Sequence, residues 1–162
     1  MAQPRPISAS KVVMTELVHP THTNALGSIF GGTIMSWVDI AAAICAQRHS
    51  RCNVVTASID GLDFVQPVYK GWVVNLNASI NYAGRSSMEV GVRVDAENPV
   101  TGERFHTASA YLTFVAIGAD GKPVEVPPVV AETETEKRRY LAAKERRDRR
   151  MQDRKKRTSA PA

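Results

Sequence analysis

Cysteine is scarce in this chain of 162 residues: there are two, Cys45 and Cys52. Their spacing fits neither a metal-ligand pair nor a redox motif. Both read as free thiols in a reducing compartment. Long hydrophobic runs are missing as well. No stretch approaches the ~18–20 consecutive apolar residues of a membrane span, and the apolar content of 43% is that of a globular protein. The opening "MAQPRPISASKVV" has no apolar signal core, which argues against secretion and for a cytoplasmic address. Regular alternation of strands and helices is absent too, so a parallel sheet is not expected. "HPTH" places His19 and His22 three apart. Pro20 and the turn residues deny them a helix, and no third ligand is suitably spaced, so no metal site is expected.

What charge there is sits at one end. From Ala131 to Ala162 there are 12 Lys or Arg against 6 Asp or Glu, a surplus of +6. The first 130 residues hold 9 basic and 10 acidic side chains, a net −1. The overall +5 therefore belongs to the tail, and the body is not a general polyanion binder. The tail lacks aromatic residues interleaved with its charges, so base stacking is not available to it and nucleic acid is not the expected partner. It is expected to be a solvated helix fraying to disorder, or an oligomer-edge tail. The length suggests one domain, with residues 1–9 as a flexible N-terminus, 10–130 as the folded body and 131–162 as the charged tail.

The body has a readable order. "SKVVMTELVHP" alternates as a strand until Pro20. "THTNALGS" is a loop. From Gly31 or Gly32 to about Gln47 a helix is expected that is apolar nearly all round, so something must wrap it. "NVVTASIDGLDFV" reads as a strand with a bulge near Gly61. "GWVVNLNASINYA" sets Trp72, Val74, Leu76, Ala78, Ile80 and Tyr82 on one face and polar residues such as Asn81 on the other. "SSMEVGVRVDAENP" repeats the device with Met88, Val90, Val92 and Val94 against Glu89, Arg93 and Asp95, and "NPVTG" turns it into a hairpin with "ERFHTASAYLTFVAI". The expected fold class is α+β: an antiparallel sheet wrapped around one long central helix.

Asp39 stands in the middle of that apolar helix. A buried carboxylate must be paired, protonated or used. Its helical neighbours are Met35, Ser36, Ala42 and Ala43; only Ser36 could donate a hydrogen bond. The preceding loop brings Asn24, and Gly31 and Gly32 leave backbone N–H groups uncovered at the helix start, where donors are unpaired and the dipole is positive. Together these suit an acyl carbonyl: donors for its developing oxyanion and a carboxylate to activate water.

"TNALGSIFGGTIMSWVDIAAA" resembles the active-site segment of hotdog-fold acyl-CoA thioesterases, in particular the YciA-like and cytosolic (brain-type) acyl-CoA hydrolases. "DGLDFVQPVYKGW" and "NYAGRSSMEV" fit the family's order as well, and the likeness runs from about Ser10 to Pro127. It implies a hotdog dimer with two active sites at the seam, assembled further into a hexamer, a trimer of dimers. By position, Asp39 matches the helix carboxylate that serves as general base or nucleophile. Asn24 matches the loop asparagine that places the water or the thioester, with the two residues of one site drawn from opposite subunits. Gly32, with Gly31 beside it, matches the oxyanion-binding region. Ser28 stands where relatives often carry Asp or Asn.

The activity so implied is hydrolysis of fatty acyl-CoA to free fatty acid and coenzyme A by Asp-assisted water attack. Direct attack by Asp39 to form a mixed anhydride is the rival route. No cofactor is expected beyond coenzyme A as part of substrate and product. The turn "YAGRSSM" offers Gly84, Arg85, Ser86 and Ser87 for the phosphates of coenzyme A; it also reads as a plain polar hairpin turn. Alternative functions are a hotdog dehydratase or hydratase using His19 or His22, and a non-enzymatic acyl-CoA-binding module. His49, His106, Trp37 and Trp72 read as structural.

Overall fold

Strands that alternate apolar and polar residues make a sheet with one face to bury and one to leave polar, and the long apolar helix is what the first face buries. The computed structural model describes residues 2–159. In chain order the elements are β1 (Arg5–Pro6), β2 (Val12–Leu17), α1 (Gly31–Ser50), β3 (Asn53–Phe64), β4 (Val73–Ala83), β5 (Ser87–Glu97), β6 (Arg104–Ile117), β7 (Val129–Val130) and α2 (Glu134–Ser159). Short 3-10 turns occupy Ile7–Ser10 and Pro20–His22. Five strands form one antiparallel sheet in the order β2-β4-β5-β6-β3. Among the described residues no helix is long and apolar enough to cross a membrane.

α1 lies across the inner face of the sheet. Its buried residues include Ile34, Trp37, Val38, Ala41, Ala42, Cys45 and Ala46. They pack in one core with Val74, Leu76, Ile80, Val90, Val92, Leu112 and Phe114. The helix runs one turn beyond the expected Gln47 and ends with Arg51 in the left-handed conformation, φ 61°. One chain does not wrap α1 fully, however. Met35 and Ile40 stay more than 40% exposed on its other side, and that side carries Asp39.

The expected alternation of β4 changes phase near its end. Ser79 pairs with Gly91 and Ile80 with Val90, but Tyr82 pairs with Glu89, so Asn81 is the extra residue of a bulge. Asn81 is thereby buried where a polar outward residue was expected, and Tyr82 leaves the inner row. Gly91 makes room for this: a Cβ there would lie 2.7 Å from the Asn81 Nδ2 atom. The bulge expected near Gly61 is present, as register shifts in the β3–β6 pairing between Thr56 and Ser58 and between Asp60 and Asp63.

Both ends of the chain depart from expectation. Residues 1–9 were read as a flexible N-terminus, but Arg5 and Pro6 pair with Val129 and Val130, and Ile7 is 1% exposed. The Arg5 guanidinium donates to the last carbonyls of α1, on Arg48 and His49. An apolar side chain with a place in the core and a donor for a helix C-terminus together outweigh the entropy of ordering a few residues.

The tail was read as fraying. Instead α2 docks on the outer face of the sheet. Thr133 and Glu136 form a capping box: the Glu136 N–H donates to Thr133 Oγ1 at 3.2 Å and the Thr133 N–H to Glu136 Oε2 at 3.1 Å. Burial pushes the Glu136 carboxyl up, but Lys11, 2.8 Å away, and the N–H groups of Glu132 and Thr133 outweigh it and hold the pKa below the ordinary value. Further along, Arg146 Nη2 donates to Glu89 Oε1 at 2.6 Å and its guanidinium lies 3.7 Å over the Tyr111 ring. Arg150 binds Asp60 and Glu89, and Ala143 is fully buried. Residues 160–162 of the tail lie outside the described residues.

Candidate functional site

Asp39 is half-buried near the middle of α1. Thr56, on β3, donates its hydroxyl to Asp39 Oδ1 at 2.7 Å. Ser36, the one donor expected within the helix, makes no bond to it among the described residues. Asp39 Oδ2 accepts no hydrogen bond among the described residues, so half of the carboxylate is held and half is free to take a proton. The sequence contains no direct signal for Thr56, because the contact depends on how β3 registers against α1.

The helix start behaves as its composition suggests. Phe30 occupies the N-cap and has no side chain able to accept a bond there. The Thr33 N–H turns back to the Phe30 carbonyl at 2.9 Å. Gly31 and Gly32 form the open positive end, with aromatic rings against them. A Cβ on Gly32 would meet the Phe30 ring at 2.5 Å, and one on Gly31 the Phe64 ring at 3.4 Å. Gly32 and Asp39 lie on one side of α1, separated by an axial rise of about 10 Å.

Asn24 is occupied by its own loop. Its Oδ1 accepts the Leu26 N–H at 2.9 Å, its Nδ2 lies 3.0 Å from the Ser28 hydroxyl, and its backbone N–H donates to the Ser28 carbonyl. Gly27, at φ +79°, closes the turn. Within one chain no hydrogen bond joins Asn24 to Asp39. Gly84, Arg85, Ser86 and Ser87 form the β4–β5 turn. There the Gly84 N–H donates to the Ser87 carbonyl at 2.8 Å, while the carbonyls of Arg85 and Ser86 accept from Val126 and Ala116. The turn is thus pinned by its backbone. Among the described residues the Arg85 side chain, 88% exposed, has only Glu125 at 3.9 Å, a contact worth little in water.

The histidines are otherwise engaged. His22 Nδ1 accepts the His19 N–H at 3.1 Å, and its ring sits edge-on to Trp37 with centroids 5.1 Å apart. His49 is buried, with Nε2 2.8 Å from the Pro127 carbonyl; burial pushes its pKa below the ordinary value. Burial likewise pushes the Cys45 thiol up to about 11, so it is not a nucleophile at neutral pH.

A family model, the thioesterase superfamily, matches residues 26–103. The "uncharacterized acyl-CoA thioester hydrolase YkhA" of Bacillus subtilis is 49% identical over 78% of this chain and 74% of that protein. The chain belongs to the thioesterase superfamily, with the hotdog arrangement of sheet and helix. The cytosolic acyl coenzyme A thioester hydrolase of Rattus norvegicus is 37% identical over 89% of this chain, which spans 38% of that protein's length. A solved apo-hexameric acyl-CoA thioesterase superposes with a TM-score of 0.90 at 42% identity, covering 99% of this chain and 100% of that one. The acyl-CoA hydrolase of Staphylococcus aureus, solved with butyryl coenzyme A, coenzyme A and coenzyme A disulfide, gives a TM-score of 0.88 at 39% identity over 95% of this chain and 94% of that one. Variants of that enzyme replace an asparagine, an aspartate fifteen positions later and a threonine seventeen beyond that with alanine. Asn24, Asp39 and Thr56 stand at the same intervals here.

Proposed function

We propose that this chain hydrolyses acyl-CoA thioesters to the free fatty acid and coenzyme A, with Asp39 as the group that activates water. The observation that carries the reading is the Asp39 carboxylate itself: set on an apolar helix, fixed by Thr56 through one oxygen and, among the described residues, without a partner at the other. A carboxylate held this way can accept a proton as water attacks the thioester carbon. The N–H groups of Gly31 and Gly32 are the donors for the carbonyl oxygen as it becomes an oxyanion. The rise of about 10 Å between Gly32 and Asp39 matches a line of donor, carbonyl, water and carboxylate. Coenzyme A leaves as a thiolate, so no strong acid is needed. The alternative use of a histidine base has less support, since His22 is turned to Trp37 and His19.

The second half of the site comes from a second copy in this reading. Phe30, Met35, Ile40, Val55, Ile59 and Phe64 are apolar and exposed around α1 and the edge strand β3, a surface that one chain leaves uncovered. A partner chain there would bring Asn24 to the Asp39 of its neighbour, and the hexameric relative supports further assembly of such dimers. Arg85, Ser86 and Ser87 are the proposed contacts for the phosphates of coenzyme A. A cytoplasmic address is the reading favoured by the cytosolic relative.

The test is thiol release from a series of saturated acyl-CoA substrates. Turnover is expected with at least one chain length, and none at any length would sink the proposal. In a single turnover in oxygen-18 water, label is expected in the fatty acid. Label in the Asp39 carboxylate would establish the anhydride route instead.

A further inference from the structure

α2 turns a row of arginines toward the protein, and among the described residues the acids of the sheet pair with Arg146 and Arg150 alone, while Arg147 lies 5.8 Å from the Tyr82 ring. Arg146 and Arg150 meet Glu89 and Asp60. Beyond them a groove of about 700 Å³ opens between the last turns of α2 and the outer face of the sheet. Arg147, Arg150, Arg154 and Arg157 line it. Arg147 reaches one carboxylate, Asp148 of its own helix, at 3.7 Å. Arg154 and Arg157 form no ion pair among the described residues. Of the acids along the groove, Asp60 and Glu89 are already bound to arginine, which leaves only Asp153 of α2 itself. The sheet side adds Ser87.

We infer that this groove binds phosphate groups, with the guanidinium forks of Arg147, Arg154 and Arg157 on one wall and Ser87 on the other. Planar guanidinium matches phosphate oxygens two at a time, which is why arginine rather than lysine suits the role. Two sources share this chemistry. One is the nucleotide end of acyl-CoA, because Ser87 continues directly from the Arg85–Ser86 turn; that version rests on the function proposed above. The other is a free phosphate compound.

The experiment is calorimetry on the full chain with inorganic pyrophosphate and with coenzyme A, comparing wild type and the double variant Arg154→Gln/Arg157→Gln. Wild type is expected to bind pyrophosphate with an affinity that falls as salt rises. The double variant, with its denaturant midpoint unchanged, is expected to weaken that binding by about tenfold or more. If the substrate is the source, the double variant also raises KM for acyl-CoA about tenfold and leaves KM for the same acyl group on pantetheine unchanged. If a free phosphate compound is the source, pyrophosphate binding still falls and both KM values stay put. Equal affinity in wild type and the double variant, or no binding by wild type, overturns the site. Calorimetry needs no turnover, so a chain that fails to cleave thioesters but shows arginine-dependent binding would defeat the proposed function and leave the groove standing.

Discussion

α1 and α2 lie on opposite faces of one sheet and are held there by opposite means. α1 is joined to the inner face by apolar contact, and its single acid is left half-open beside the sheet's edge strand β3, where Thr56 holds one oxygen. α2 is joined to the outer face by charge: Lys11 to Glu136, Arg146 to Glu89, Arg150 to Glu89 and Asp60. The first contact is non-directional, so it leaves the exposed side of the helix free to carry chemistry. The second depends on matched partners, and Glu89, 2% exposed, has no use for water once both arginines are in place. The difference shows that a carboxylate's setting, rather than its burial alone, decides whether it is structural. Glu89 is more deeply buried than Asp39, yet every approach to it is taken.

The contrast can be broken at several points. Replacing Asp39 with Asn should lower kcat for thiol release by about 10²–10⁴-fold, the usual contribution of a general base, while denaturant midpoints stay near wild type. A residual rate above a tenth of wild type would remove Asp39 from its role. Replacing Glu89 with Gln strands Arg146 and should cost about 3 kcal/mol. Protease cleavage within 134–159 should quicken while kcat is kept. A fall in kcat would show that the two faces are coupled. Thr56→Val removes the hydrogen bond that orients Asp39 and should reduce kcat/KM about tenfold, the low end for a bond to a charged group, with little change in KM.

The smallest effect concerns pH. Burial holds the His49 pKa below its ordinary 6.5, against the pull of the Pro127 carbonyl. The unfolded chain therefore takes up a proton there before the folded one does. This contribution to stability is complete above that value and is lost progressively as pH falls below it. Denaturant midpoints followed from about pH 8 to about pH 5 should decline, and His49→Gln should flatten the decline. An unchanged slope would assign it to other groups.

Much of this was legible in the residues. Period-two alternation located β4, β5 and their inward rows, and the apolar span with Asp39 at its centre located α1. The family resemblance carried by Asn24, Gly31, Gly32 and Asp39 pointed to the superfamily. What escaped depends on tertiary register. Thr56 became visible only once β3 lay against α1. Asn81 exchanged places with Tyr82 because of one extra residue in β4. The docking of α2 left local traces, a Thr133-to-Glu136 capping box and arginines one helical turn apart. Those traces gain meaning only when Glu89 and Asp60 are known to face the same surface.

Glu89 also shapes what happens when α2 lifts away. Its two arginines leave with the helix, and the sheet then shows water a charged side chain in the middle of its outer face. A lone charge on an uncovered sheet opposes the stacking of one bare face on another. The side chain that anchors the helix thus also guards the surface the helix covers.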